Sequence, residues 1–377
     1  MKKLAIILTH PIQYYSPVFQ LLAKHIAIKV FYTMGDPINK YDIGFQQKVE
    51  WDIPLLQGYD FEFLSNKSAQ PGTHRFLGID NVQAIERIHE FRPTAILVYG
   101  WAYKSHLKII RYFHGKVKIL FRGDSTALYR HPIYKAVFKK ILLKWVYRHV
   151  DAAFYVGSQN RTYFLKYGLK GQQLVFAPHA VDNGRFSSDR SSEATALRQS
   201  FGIRKNEILV LFTGKFKHIK DPLILLRAFL DIEPTDTHLL FVGGGHLEQR
   251  LKNNASGHKS IHFLPFQNQQ FMPVVYQSCD LFCMPSNAPG ESWGMAINEA
   301  MAAGKAILSS SMVGAAADLV RIDNGRIFKC GNYNDLKTAL KKLIGDKQKL
   351  KTLGERSSAI IADWTFEKQI QGILAYV

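Results

Sequence analysis

Cysteine is scarce in this chain: three residues in 377, at Cys279, Cys283 and Cys330. An odd, sparse set without ligand spacing excludes a disulfide framework and fits a reducing compartment. Cys279 and Cys283 lie at and within an apolar run, where core packing is expected. Long apolar runs are missing too. No window approaches the ~18 apolar residues of a membrane span, so the chain is expected to be cytoplasmic, soluble or peripheral on the inner face of the plasma membrane. Its basic start runs into only a short apolar stretch, which stops at Thr9-His10-Pro11 and reads as a first strand rather than a leader. Acid is the third shortage. Asp and Glu number 30 against 49 Lys and Arg, a formal charge of +19. Such a balance points to an anionic partner: nucleic acid, acidic membrane or phosphorylated substrate. No recognisable nucleic-acid motif accompanies it. Residues 101–150 carry 12 Lys and Arg and one acid, Asp124.

What is present is an α/β pattern. Hydrophobic residues make up 47% of the chain, enough at this length to bury two cores. Short buried-strand runs alternate with helical stretches: Leu4–Leu8, Ile28–Thr33, Ala95–Tyr99, Val117–Phe121 and Ala152–Val156, then Ile208–Phe212, His238–Val242, Ile261–Leu264 and Asp280–Met284. The two halves share that order without a residue-level repeat, as two Rossmann-like domains would. Ile133 to Val150 is amphipathic. Ile133, Val137, Phe138, Ile141, Leu142, Trp145 and Val146 share a face, and Lys135, Lys139, Lys140, Lys144 and Arg148 lie mostly elsewhere. Two compatible readings stand: a core helix with a solvated basic face, and a surface resting on anionic lipid headgroups over residues 130–150. Gly184 to Glu193, polar and rich in Ser, reads as a linker.

The organising stretch is Pro285–Ser310, PSNAPGESWGMAINEAMAAGKAILSS. It reads as strand, loop, helix, strand, with the loop at the carboxyl end of the first strand, where ligands sit in open α/β sheets. Trp293 to Ala303 is the helix, closed by Gly304. Glu291 follows Pro289-Gly290 in the loop, and Glu299 lies eight residues on. A helix N-terminus holds an anion such as a diphosphate. Carboxylates beside it repel phosphate but accept hydrogen bonds from sugar hydroxyls. One on each side of a diphosphate suits a nucleotide sugar; a surface helix with solvated acids is the plain alternative.

The pair Glu291 and Glu299, the glycine between them and the run Glu299-Ala-Met-Ala-Ala-Gly304 resemble the signature of the retaining glycosyltransferases of family 4, which have the GT-B fold. The likeness runs from about Ile208 to the C-terminus and more loosely through the first half. It implies two Rossmann-like domains facing across a cleft: an acceptor-binding domain over residues 1–187, a nucleotide-sugar-binding domain over 188–360, and a helix over 361–377 that crosses back to the first. It also implies transfer, with retention, of a sugar from a nucleotide diphosphate sugar to a glycan or lipid-linked hydroxyl. Bacterial surface polysaccharide synthesis is the expected setting. The donor is then a substrate. No cofactor or metal is expected, and no Asp-x-Asp pair or His/Cys cluster is seen.

Residue by residue, the family has an Arg and then a Lys about five positions on at the diphosphate. Here Lys215 stands in the Arg position and Lys220 follows. Lysine keeps the charge and loses the bidentate fork. Glu299 would take ribose hydroxyls and Glu291 the transferred sugar. Gly214, Trp293, Gly294, Met295 and Ala296 line the donor side, and the base would stack near Phe266. In the first domain, His10 and Gln13 stand in a loop where many members carry Gly-Gly. Arg122 and Asp124 end a strand near which the family often places a histidine or aspartate, a strand-end ion pair being the alternative. Tyr41 to Gly72, irregular and aromatic-rich, is expected to be acceptor territory. Two other classes stay open: a GT-B nucleotide-sugar epimerase, and a basic protein that binds nucleic acid or a lipid surface. Nucleic acid is not the expected partner.

Overall fold

The computed structural model describes residues 2–36, 41–42, 44–129, 132–288 and 291–377. Pro289 and Gly290, and Arg130 and His131 of the basic stretch, lie outside the described residues. In chain order the strands are β1 (Lys3–Leu8), β2 (Ala27–Tyr32), β3 (Tyr41–Asp42), β4 (Gln47–Lys48), β5 (Asp60–Phe63), β6 (Ala95–Tyr99), β7 (Lys118–Arg122), β8 (Ala152–Tyr155), β9 (Leu174–Phe176), β10 (Ile208–Lys215), β11 (Thr237–Gly244), β12 (Ile261–Leu264), β13 (Leu281–Met284), β14 (Ala306–Ser310) and β15 (Gly325–Phe328). They build two parallel sheets, ordered β5-β2-β1-β6-β7-β8-β9 and β12-β11-β10-β13-β14-β15, and β3 and β4 pair as a small antiparallel ribbon. The chain forms two compact units. The first holds residues 1–39, 53–179 and 366–377, the second 40–52 and 180–365.

In the first unit, β1 shows why these strands read as unbroken apolar runs. Leu4, Ile6 and Leu8 enter one core with Val18, Phe19 and Phe154, while Ala5 and Ile7 enter another with Phe31, Ile96 and Val98. Successive side chains point to opposite faces, and a parallel strand covered on both faces has no polar side. The terminal helix Phe366–Leu374 closes one face, with Ile370 and Ile373 in the core of Val18 and Phe19. Lys118 Nζ donates to the Tyr376 carbonyl at 2.9 Å. The helix therefore belongs to the first unit, although the second unit precedes it in the chain. The second unit has its own core, centred on Val210, Phe212, Phe241, Leu281 and Leu308.

Each sheet grows outward in one direction and then jumps to the other side of its first strand. That reversal falls between β1 and β6 in the first unit and between β10 and β13 in the second. The carboxyl ends of those strand pairs are the topological switch points, where an open parallel sheet leaves a crevice.

Three expectations are corrected. Residues 184–193 are no free linker. Asn183–Ser187 and Ser191–Ser200 are helical, and the Arg185 guanidinium donates to the Gln269 carbonyl and side chain at 3.0 and 2.9 Å. The irregular stretch after Tyr41 is not one territory. Residues 41–42 and 44–52 fold with the second unit, whereas Asp60–Phe63 is the edge strand of the first sheet and Tyr59 is buried in its core. The helix Ile133–Tyr147 keeps only the second half of its expected apolar face inside. Val146 is buried with Leu143 and Tyr147, and Leu142 and Trp145 pack partly against the same core, whereas Ile133, Val137, Phe138 and Ile141 of that face, with Tyr134, are exposed to solvent. Lys139 lies on the inner side, its ammonium 5.1 and 5.4 Å from the ring centres of Tyr163 and Tyr167, where the rings offset lost hydration. Cys279 and Cys283 are buried, and burial pushes the Cys279 thiol up to about 12 and that of Cys283 further.

Candidate active site

At the switch point of the second unit, β10 ends in Thr213-Gly214-Lys215 and its loop leads to the helix Pro222–Ile232. Asp221 caps that helix, its carboxylate accepting from the Ile224 N–H at 3.4 Å, with Pro222 at the first helical position. This start suits residues that cannot or need not donate inward. The cap sets Lys220 at the loop's end.

The loop after β13 is tied to the same place. The Asn287 N–H donates to the Ile219 carbonyl at 2.8 Å. Glu291 forms a parallel bridge with Val313, and its carbonyl accepts from the Gly314 N–H at 3.2 Å. Gly294 then opens the helix Met295–Ala302 with φ of +101°, and a Cβ there would lie 2.7 Å from Val313 Cγ1. Any larger residue would be strained both in its backbone and against its neighbour. Met295 and Ala296 begin the helix, so their N–H groups have no intrahelical partner and carry the positive end of its dipole.

Five charged side chains gather on this frame. Lys220 Nζ donates to the Glu291 carboxylate, a contact joining the two loops. Lys215 Nζ donates to Asp42 Oδ2 at 2.8 Å. Burial opposes the charge on Asp42, but the hydrogen bond and charge of Lys215, with the N–H groups of Phe45 and Gly44, hold its carboxyl below the usual range. Glu299 is only 3% exposed. It accepts from Tyr276 Oη at 2.7 Å, and Thr213 Oγ1 lies 3.0 Å from the same phenol. The phenol hydrogen goes to the carboxylate, so the threonine donates in turn. Trp293 is buried, with Nε1 donating to Asn298 Oδ1 at 2.9 Å and its ring packed on Trp364. It props the loop from inside. Phe266, in the loop after β12, lies 4.7 Å from the ring of Phe45 and 6.1 Å from that of Trp51.

The first unit presents its own set at the β1/β6 switch point. His10 and Gln13 stand in the loop after β1. His10 is exposed, with Nδ1 2.9 Å from Thr9 Oγ1. Asp124, beyond β7, is exposed as well. Arg122 points inward. It is 1% exposed and donates to the carbonyls of Ala177 and Pro178 at 2.8 and 3.3 Å, while its Nε has no hydrogen-bond partner among the described residues. It holds the chain after β9 and offers no face to a ligand in this structure. Tyr15 packs on Tyr99 and His179. Burial first, then the charge of Asp124, raises its phenol above the ordinary range, and burial with the nearby Arg122 lowers His179 well below its own.

Asp42, Phe45 and Tyr276 were not singled out from the sequence. Tyr276 reads as one more apolar helix position, and Asp42 is 173 residues from the lysine it meets. Among the described residues, no group of three or more His, Cys, Asp or Glu could hold a metal ion, and no helix is long and apolar enough to cross a membrane.

Residues 193–359 match the family described as glycosyl transferases group 1. A D-inositol 3-phosphate glycosyltransferase of Nocardia farcinica is 27% identical over 55% of this chain and 48% of its own length. The chain thus spans about half the length of the curated relatives it matches. Among solved structures, sucrose-phosphate synthase of Thermosynechococcus elongatus matches with a TM-score of 0.80 and 17% identity, covering 100% of this chain and 98% of that one. HepE of Anabaena, solved with UDP and glucose, matches with a TM-score of 0.74 and 18% identity over the whole of both chains. The fold is therefore GT-B, with two parallel α/β sheets and a terminal helix returned to the first unit.

Proposed function

We propose that this chain, whose residues 193–359 match the glycosyl transferases group 1, transfers a sugar from a nucleotide diphosphate sugar to an acceptor hydroxyl. The observation that carries the reading is the meeting of Lys215, Lys220, Glu291 and Glu299 with the helix start at Met295 on one switch point of the second unit. Two lysines and a helix N-terminus can stabilise the charge that grows on a leaving diphosphate, without a metal. Glu299 binds the ribose and Glu291 the transferred sugar. The acceptor hydroxyl attacks on the face the diphosphate leaves, so configuration is retained. One C–O bond breaks as another forms, and the departing phosphate oxygen takes the hydroxyl proton. No strong protein base is then needed.

Acceptor recognition falls to the first unit, at His10, Gln13 and Asp124. The solvent-facing apolar row of the helix Ile133–Tyr147 lies among lysines and supports an anionic membrane surface as a partner. The proposal takes with it a lipid-linked acceptor in bacterial surface polysaccharide synthesis, met by a peripheral protein on the cytoplasmic side.

Nucleotide release from UDP-, GDP- and ADP-sugars tests the reading, with a Glu299→Ala control and with EDTA. Release from one donor, lost in the control and insensitive to chelation, is the expected result. No release and no donor-dependent thermal shift with any donor would overturn it.

A further inference from the structure

Asp42 and residues 44–52 lie in the chain between two strands of the first sheet, yet they fold with the second unit and rest on the groups assigned to the donor. Their contacts follow a pattern. Asp42 Oδ1 accepts from the N–H groups of Gly44 and Phe45 at 2.7 and 3.1 Å, which turns Oδ2 onto Lys215 Nζ at 2.8 Å. The Phe45 ring sits between that ammonium, 5.0 Å from its centre, and the Phe266 ring, 4.7 Å away. Gly44 passes so close that a Cβ would lie 2.5 Å from Lys215 Cδ. The other end is fastened. Asn268 Nδ2 donates to the Glu50 carbonyl at 2.5 Å, and the Gln270 N–H donates to the Asp52 carboxylate at 3.1 and 3.2 Å.

An anion on Lys215 joined to a flat ring on Phe266 is what a nucleoside diphosphate offers. We propose that this segment is an internal competitor of the donor: the Asp42 carboxylate and Phe45 ring occupy the places of diphosphate and base, and donor binding displaces them. The inference rests on the donor reading above. Left in place, the Asp42 carboxylate would neutralise Lys215 and repel the incoming diphosphate. The competition is weak enough to yield, since both partners of the Lys215–Asp42 pair are about a third exposed and such pairs are modest. The bonds at Glu50 and Asp52 would keep the segment tethered while its Asp42 end swings off.

Calorimetric titration of the full chain with UDP, GDP and ADP provides the test, comparing wild type with Asp42→Asn, Phe45→Ala and Glu299→Ala. Thermal melts check that each variant folds. Asp42→Asn should tighten the preferred nucleotide about two- to fivefold, and Phe45→Ala should do likewise. Hydrogen exchange at the Gly44 and Phe45 amides should quicken on saturation with nucleotide. Unchanged or weaker binding in both variants, or slower exchange, would make the segment a wall of the site and overturn the proposal. Binding by wild type that Glu299→Ala loses, without a gain in Asp42→Asn, sinks the competitor alone. No binding by any of the proteins sinks the donor reading and the competitor with it.

Discussion

Lys220 and Glu291, 71 residues apart in sequence, form an ion pair that joins the loop after β10 to the loop after β13. Their side chains are 24% and 17% exposed, so the pair is partly shielded from water. The cation assigned to the diphosphate and the carboxylate assigned to the sugar therefore fix each other's position. Lys220→Met and Glu291→Gln should each lower turnover by about 10²- to 10³-fold, the usual loss when one stabilising group is removed. The double variant should lose little beyond either single one, because groups that act as a unit are not additive. Losses that multiply across the cycle would show that the two work independently.

Glu299 is positioned from behind. Tyr276 donates to it, and Thr213 to Tyr276, linking the end of β10 to the helix that carries the carboxylate. Tyr276→Phe should cost about 1–3 kcal/mol of stability, since it takes a hydrogen bond from a buried charged group. It should weaken nucleotide binding by a few-fold at most, whereas Glu299→Ala should abolish it. Equal loss of nucleotide affinity in both variants would mean that Tyr276 touches the ligand itself.

The sheets were legible because strands buried on both faces show as plain apolar runs. The Glu291–Glu299 unit was legible because its strand, loop and helix are contiguous. The residues that complete the site were not. Asp42 and Phe45 are chain neighbours of the first unit but pack on the second, and no local pattern records which of two bodies a loop will join. The helix Ile133–Tyr147 shows a different limit. Its periodicity marks an apolar row without saying how far along that row the core reaches. Here the core took Val146 with Leu143 and Tyr147, and in part Leu142 and Trp145, left Ile133, Val137, Phe138 and Ile141 to solvent, and Tyr163 and Tyr167 made room for Lys139.

Acid should destabilise the chain above the range in which carboxylates titrate. His106 is fully buried beneath the switch point of the first unit. Its Nδ1 is 3.0 Å from the Gly100 carbonyl, which can only accept, so the ring carries its proton there and turns Nε2 to the Thr33 hydroxyl at 2.9 Å. Burial lowers its pKa to about 4, and burial followed by the charge of His238 does the same at His262. Between about 6.5 and about 4 the unfolded chain binds protons that the folded one refuses, so stability falls as pH falls through that window. For His106 alone the shift corresponds to about 3 kcal/mol. Melting temperature should drop between pH 7 and pH 5, and His106→Gln should flatten the slope. An unchanged slope in that variant would move the effect to other groups.

The outward face of the helix Ile133–Tyr147 makes the sharpest prediction about a partner. Ile133 is 85% exposed, Phe138 70% and Ile141 66%, a cost to a soluble protein unless something covers them. Lys135, Lys140 and Lys144 are exposed on the same helix, so an apolar row with a basic border meets water together, the pattern of a helix lying in a lipid interface. Cosedimentation with vesicles containing anionic lipid should therefore occur, should weaken as salt rises, and should fail with purely zwitterionic vesicles. Phe138→Ser with Ile141→Ser should abolish it. Because those side chains lie outside the core, stability should stay within about 0.5 kcal/mol of wild type. A large fall in stability would show that the row is packed against protein. Undiminished sedimentation would leave the basic residues as the whole of the attraction, with the apolar row uninvolved.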